Sequence, residues 1–169
     1  MVMDSPETKK IIDEHAARAK AGHYCGYQER SIQEVRDKLY EWAQPANVVE
    51  NIVSGLINDN FLNEERFAKT YATGKFRQKG WGKVKIKQGL KFKQVPDVLI
   101  KKALQSIPDD EYLLMLQKVL AKKGAVLGEK NLHKRNYKLQ QYALGKGYES
   151  DLISDVLKNP ETYEVFKTS

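Results

Sequence analysis

Between residues 66 and 96 the chain sets ten cationic side chains, Arg66, Lys69, Lys75, Arg77, Lys79, Lys83, Lys85, Lys87, Lys91 and Lys93, and no Asp or Glu. Ammonium and guanidinium groups at that density do one kind of chemistry, the reversible binding of phosphates or carboxylates, and they do it through a localised positive field. The whole chain carries only +7, so the remainder, with 19 basic side chains against 22 acidic ones, is slightly negative. A single run of three lysines reads as a solvated face. Ten without a counter-charge read as a binding surface.

Within the block, Lys83, Lys87 and Lys91 recur at i, i+4 and form one stripe of a helix whose inward positions are Ile86 and Leu90. Like charges at that spacing cost a few tenths of a kcal/mol per pair, roughly, and no nearby acid in the sequence relieves them, so an anionic partner would offset the repulsion. Lys85 and Lys93 spread charge around the helix, and Lys75, Arg77 and Lys79 add more from the helix before it. Trp81, between Gly80 and Gly82, either closes a small core or stands as a stacking platform, with the buried role favoured. Gly89 inside the helix is either tolerated or marks close approach of another backbone. The candidate binding set is therefore Lys75, Arg77, Lys79, Trp81, Lys83, Lys85, Lys87, Lys91 and Lys93. Lys122, Lys123, Lys130, Lys134, Arg135 and Lys138 are interrupted by Glu129 and read as ordinary surface.

Other chemistry is poorly supplied. The Gly-Lys pairs at Gly74, Gly82 and Gly145 lack the spacing and the following Ser or Thr of a phosphate loop. Asp109, Asp110 and Glu111 fit the first turn of a helix, where the dipole accounts for them without a metal. One cysteine, Cys25, excludes an internal disulfide, and with His15 and His23 it completes neither a metal set nor a nucleophile arrangement. Tyr24, Tyr27, Tyr40 and Trp42 are expected in the core and rim of the first unit. The expectation is no catalytic residue, no metal and no cofactor. The start lacks the apolar stretch of a leader and no segment approaches a membrane span, so a soluble, cytoplasmic, monomeric protein is expected.

The elements that must position the basic block are helices. Apolar residues recur at three and four, and caps are written locally: Ser31 with Glu34 is a capping box, Asn63 precedes Glu64 and Glu65, and Pro108 opens another helix. The stretch from Ser31 aligns with that from Gly82 at an offset of 51, setting Val35 on Ile86, Leu39 on Leu90, Pro45 on Pro96 and Val49 on Ile100. A third copy at a further offset of 53 sets Leu139 on Ile86, Ala143 on Leu90, Tyr148 on Val95 and Ile153 on Ile100. Each copy is two helices around a turn near Pro45, Pro96 or Gly147, preceded by a leading helix at about 8–24, 63–77 or 108–123. An all-α, elongated tandem array of three three-helix repeats follows, with boundaries at 1–59, 60–107 (basic), 108–160 and a frayed tail over 161–169.

The wording of these motifs resembles the RecX family of bacterial recombination regulators over about Ala17 to Leu157. The carriers are Arg30-Ser31 with Glu34-Val35 and Lys38-Leu39, then Phe61-Leu62-Asn63-Glu64-Glu65-Arg66-Phe67-Ala68, then Lys79-Gly80-Trp81-Gly82, and Lys146-Gly147-Tyr148 with Ile153. The resemblance implies a non-enzymatic modulator that binds the RecA recombinase filament on DNA and represses its ATPase and strand exchange. It departs from the family pattern at Trp42 to Pro45, where a glycine-centred turn is usual, and in its long loop near Gly124 to Lys130. From the residues alone a stand-alone helical binder of single- or double-stranded DNA stays open, as does a scaffold for an unrelated acidic partner.

Overall fold

The computed structural model describes residues 11–164, and every regular element among them is helical. The first three helices are α1 (Glu14–Tyr27), α2 (Ile32–Glu41) and α3 (Ala46–Asn58); then come α4 (Glu64–Lys79), α5 (Lys83–Phe92) and α6 (Asp97–Gln105). The last are α7 (Asp109–Val126), α8 (Leu132–Lys146), α9 (Ser150–Lys158) and the one-turn α10 (Glu161–Glu164). Residues 1–10 of the expected first repeat and 165–169 of the expected tail lie outside the described residues. Tyr163 of α10 is buried, and α10 packs on α7.

Packing divides the chain into two compact units. One runs to Phe67 and takes in Lys93–Val95; the other holds Ala68–Phe92 and continues from Pro96. In the first, Ala17, Ala21 and Cys25 of α1 meet Val35 and Leu39 of α2 and Val49, Ile52, Val53 and Leu56 of α3. Cys25 is a core residue, and burial pushes its thiol above the ordinary value, so it packs as a small apolar group. Tyr24 and Trp42 pack against this core under the cations of Arg30 and Lys20. Tyr27, by contrast, is 85% exposed, because α1 turns that position away from α2 and α3.

The capping box forms as the sequence predicts: the Glu34 N–H donates to Ser31 Oγ (3.1 Å) and the Ser31 N–H to Glu34 Oε2 (2.8 Å). The other carboxylate oxygen of Glu34 accepts from Lys93 Nζ. Burial works to raise the Glu34 carboxyl, but the Lys93 and Ser31 hydrogen bonds and the charges of Lys93 and Arg30 outweigh it and hold the group below the usual carboxylate range. At α4, Asn63 caps as expected, its Oδ1 accepting from the Arg66 N–H (2.9 Å).

The repeat register is written in the backbone. Ala43 (φ 58°), Gln94 (φ 58°) and Gly147 (φ 96°) all adopt the left-handed conformation, and their separations are the 51 and 53 residues of the apolar alignment. The turn after α2 closes with Ala43 N–H to the Tyr40 carbonyl and Gln44 N–H to that of Leu39; the turn after α8 repeats this with Gly147 to Leu144 and Tyr148 to Ala143. So the missing glycine at Trp42 to Pro45 changes the residue, not the turn. Alanine takes the strained position there, at about 1 kcal/mol.

In the second unit the turn after α8 is a joint. The N–H groups of Gly82 and Val84, at the start of α5, donate to the carbonyls of Lys146 and Gly147 at 2.8 and 2.9 Å. Orphan donors of one helix thereby satisfy orphan acceptors of another. A Cβ on Gly82 would lie 2.3 Å from the Gly147 carbonyl, and one on Gly147 2.3 Å from Lys85 Cβ. Tyr148 Oη donates to the Gly80 carbonyl (2.9 Å), and Tyr112 Oη accepts from the Lys83 N–H (3.0 Å) while donating to Glu149 (2.6 Å). Burial, then the bond to Glu149, pushes the Tyr112 phenol far above its ordinary range, so it remains a donor. The close neighbour of Gly89 is the Tyr71 hydroxyl, 2.1 Å from a built Cβ, and not another backbone.

Three substitutions test this geometry through stability. Ala43→Gly relieves a left-handed alanine and raises stability by about 0.5–1 kcal/mol, whereas Gly82→Ala drives a methyl into backbone and lowers it by about 2–3 kcal/mol, both read by denaturant unfolding. Lys93→Gln costs about 1 kcal/mol at pH 7. Because the Glu34 carboxyl is depressed in the fold, its stabilisation is present above the ordinary pKa and lost as pH falls through the lowered one. The gap between Lys93→Gln and the parent chain therefore closes in acid below about pH 4, in melts recorded against pH.

Candidate nucleic-acid interface

The end of α4 and the whole of α5 carry most of the candidate cations, and the joint at Gly82 sets where α5 begins. Ile86 and Leu90 are fully buried, which leaves Lys87 and Lys91 exposed, while Lys83 and Lys85 are half-buried. Trp81 is half-buried, not enclosed: Lys85 Nζ lies 4.5 Å and Lys75 Nζ 4.9 Å from its ring centroid. Lys75 also sits 5.4 Å from the Tyr71 ring. The indole thus gathers two ammonium groups at the approach to α5.

The expectation that no carboxylate attends the block is wrong, because tertiary packing delivers acids that are distant in sequence. Lys83 Nζ lies 3.5 Å from Asp109 and 4.7 Å from the Tyr112 ring; Lys91 lies 3.8 Å from Asp97, and Arg77 3.5 Å from Glu111. Arg66 is engaged by Glu29, and Lys93 by Glu34. Asp97, Asp109 and Glu111 all belong to first turns of α6 or α7, where the helix dipole already favours them. The pairs from Lys83, Lys91 and Arg77 reach exposed acids, Asp109 wholly so and Asp97 at 81%, and such pairs contribute about 0–1 kcal/mol. A phosphate competes with them on even terms. The Lys93–Glu34 pair is half-buried on both sides and part of the first unit's framework, so Lys93 is committed to structure, whereas the half-buried Lys83 faces a fully exposed acid.

Lys79, Lys85 and Lys87 have no carboxylate partner among the described residues. Lys83 and Lys87 border a cleft of about 390 Å³ between α5 and α6, which Lys101, Ile100, Leu104 and Asp97 complete. Lys101 escaped sequence reasoning because it lies outside the acid-free stretch; its spacing from Asp97, one helical turn, is the signal that places it beside α5. Tyr112, which anchors the first N–H of α5, was equally invisible, since a buried tyrosine reads as core until its hydroxyl partners are known. Among the described residues no group of His, Cys, Asp and Glu gathers as a metal site, and no helix is long and apolar enough to cross a membrane.

Comparison with known proteins sets this architecture in a family. Models of the first, second and third three-helix domains of RecX match residues 17–56, 63–104 and 109–157. The regulatory protein RecX of Bacillus mycoides is 27% identical over 84% of this chain, and that of Clostridium acetobutylicum 29% over 93%. The chain spans 53% of the Bacillus protein's length and 76% of the Clostridium protein's. In solved structures, RecX from Lactobacillus salivarius superposes with a TM-score of 0.81 at 22% identity, covering 88% of this chain and 97% of that one. A second RecX crystal structure gives 0.72 at 24% identity, over 86% of this chain and 73% of the other. Three tandem three-helix domains, matched in order over most of the chain, make it a member of the RecX family of regulatory proteins.

Proposed function

We propose that this chain is a non-enzymatic regulator that binds the RecA recombinase filament on DNA and slows its ATP hydrolysis and strand exchange, acting in the cytoplasm as a monomer. The observation that carries the reading is the family membership together with the cationic surface of α4 and α5, whose ion pairs to exposed acids are weak enough to be exchanged for a polyanion. Half of the partner is nucleic acid, whose phosphates release counterions to cations of this kind, and the other half is protein, for which a positive surface supplies orientation. The binding set proposed is Lys75, Arg77, Lys79, Trp81, Lys83, Lys85, Lys87 and Lys91. Lys93 contributes through the framework instead.

The test is inhibition of DNA-dependent ATP hydrolysis by RecA. The parent chain slows turnover, and the triple change Lys83→Gln, Lys87→Gln, Lys91→Gln raises the concentration for half-inhibition about tenfold, as expected if each lost contact is worth about 0.5 kcal/mol. Circular dichroism of the triple variant remains helical, since Ile86 and Leu90 still hold α5 in place. Unchanged turnover at saturating amounts of the parent chain contradicts the reading.

A further inference from the structure

The sequence assigned Lys122 and Lys123 to ordinary surface, yet the fold brings them to a second cleft. This cleft, of about 430 Å³, lies among the end of α4, the outer half of α7 and the end of α8. Its apolar lining is Met115, Val119, Val126 and the half-buried Tyr142. Its cations are Arg77, Lys79, Lys118, Lys122, Lys123 and Lys146, and no Asp or Glu lines it. Lys123 Nζ and Lys146 Nζ stand 4.8 and 5.8 Å from the Tyr142 ring centroid, and Lys146 also donates to the Lys79 carbonyl (3.1 Å).

Three helix C-termini converge on this cleft, and lysines there satisfy the negative ends of the dipoles, but a dipole needs cations only in the last turn. Lys122 is exposed and has no carboxylate partner among the described residues, and Met115, Val119 and Val126 supply an apolar floor that dipole compensation does not require. Cations around an apolar floor with an aromatic ring are the arrangement that holds single-stranded nucleic acid: phosphates take the ammonium groups and a base lies on the floor against the ring. A duplex does not fit the same description, because its bases are stacked within the helix and its grooves are read from outside.

We propose that the cleft between α4, α7 and α8 is a single-stranded DNA site, with phosphates held by Lys79, Lys122, Lys123 and Lys146 and a base seated over Val119 and against Tyr142. It rests on the reading above and deepens it, giving the DNA of the nucleoprotein filament a place on this chain apart from the α5 stripe.

The test uses the full chain without RecA. Anisotropy of a labelled oligothymidylate, followed against salt, reports binding; the double change Lys122→Gln, Lys123→Gln weakens it at least fivefold. It also lowers the salt slope by about 1.4, at about 0.7 per phosphate contact on a single strand. An oligonucleotide carrying 5-iodouracil photo-crosslinks to Tyr142, located by mass spectrometry of the parent chain, a readout independent of how any variant folds. Unchanged affinity and slope in the double variant, equal affinity for a duplex of the same length, or crosslinks confined to other residues overturns the assignment. Inhibition of RecA turnover by a chain that fails these tests leaves the proposed function standing and removes only the cleft; oligonucleotide binding without inhibition does the reverse.

Discussion

No side chain can stand between Gly82 and Gly147. Their backbones meet at a distance that a single methyl would close, and the N–H groups at the start of α5 are spent on the carbonyls at the end of α8. Most of the second unit's chemistry follows from that contact. It fixes where α5 starts, hence which residues of the Lys-rich helix face out; it seats Tyr148 under Gly80 and Tyr112 between Lys83 and Glu149. A helix bearing Lys83, Lys85, Lys87 and Lys91 has poor reason to hold together by itself, since neighbouring ammonium groups repel. Its stability is borrowed from the apolar face of Ile86 and Leu90 and from the polar joint at its N-terminus.

The electrostatics are graded in a way that separates structure from function. Where a cation is half-buried against a half-buried carboxylate, as with Lys93 and Glu34 or Arg66 and Glu29, the pair is part of the framework of the first unit. Where the carboxylate is an exposed first-turn acid, as with Asp97 and Asp109, the lysine is lightly tethered and the acid serves its own helix dipole. Such tethers keep the isolated protein from carrying a bare positive stripe while leaving the stripe open to exchange with phosphate.

The fold was largely legible in the sequence because repeats and caps are local. The offsets of 51 and 53 residues recur as left-handed residues at Ala43, Gln94 and Gly147, and the Ser31–Glu34 box forms as written. Even the turn without glycine kept its shape, since the register of α2 against α3 is set by Val35, Leu39, Val49 and Ile52 and outweighs the cost of a strained alanine. What the sequence concealed was everything decided by tertiary approach. An acid-free stretch of chain proved not to be an acid-free region of space, because Glu29, Glu34, Asp97, Asp109 and Glu111 arrive from other elements. Gly89 signalled a close approach correctly, but a tyrosine hydroxyl occupies the space expected for a backbone. The lysines at 122 and 123 read as surface because Glu129 follows them in sequence, whereas in the fold Glu129 pairs with Lys138 and does not line their cleft.

The placement of its cations gives this chain two clusters of positive charge in one compact unit, on α5 and in the cleft at the ends of α4, α7 and α8. The proposed role on a nucleoprotein filament calls for contacts to protein and to DNA together, and two such clusters suit that role. The most direct measurement is the cryo-electron microscopy structure of this chain bound to a RecA filament assembled on single-stranded DNA. Density for the chain is expected on the filament, with α4 and α5 turned toward it and Lys83, Lys87 and Lys91 at the contact. A chain bound with α5 facing solvent, or a filament that carries no density for the chain at saturating amounts, contradicts that expectation.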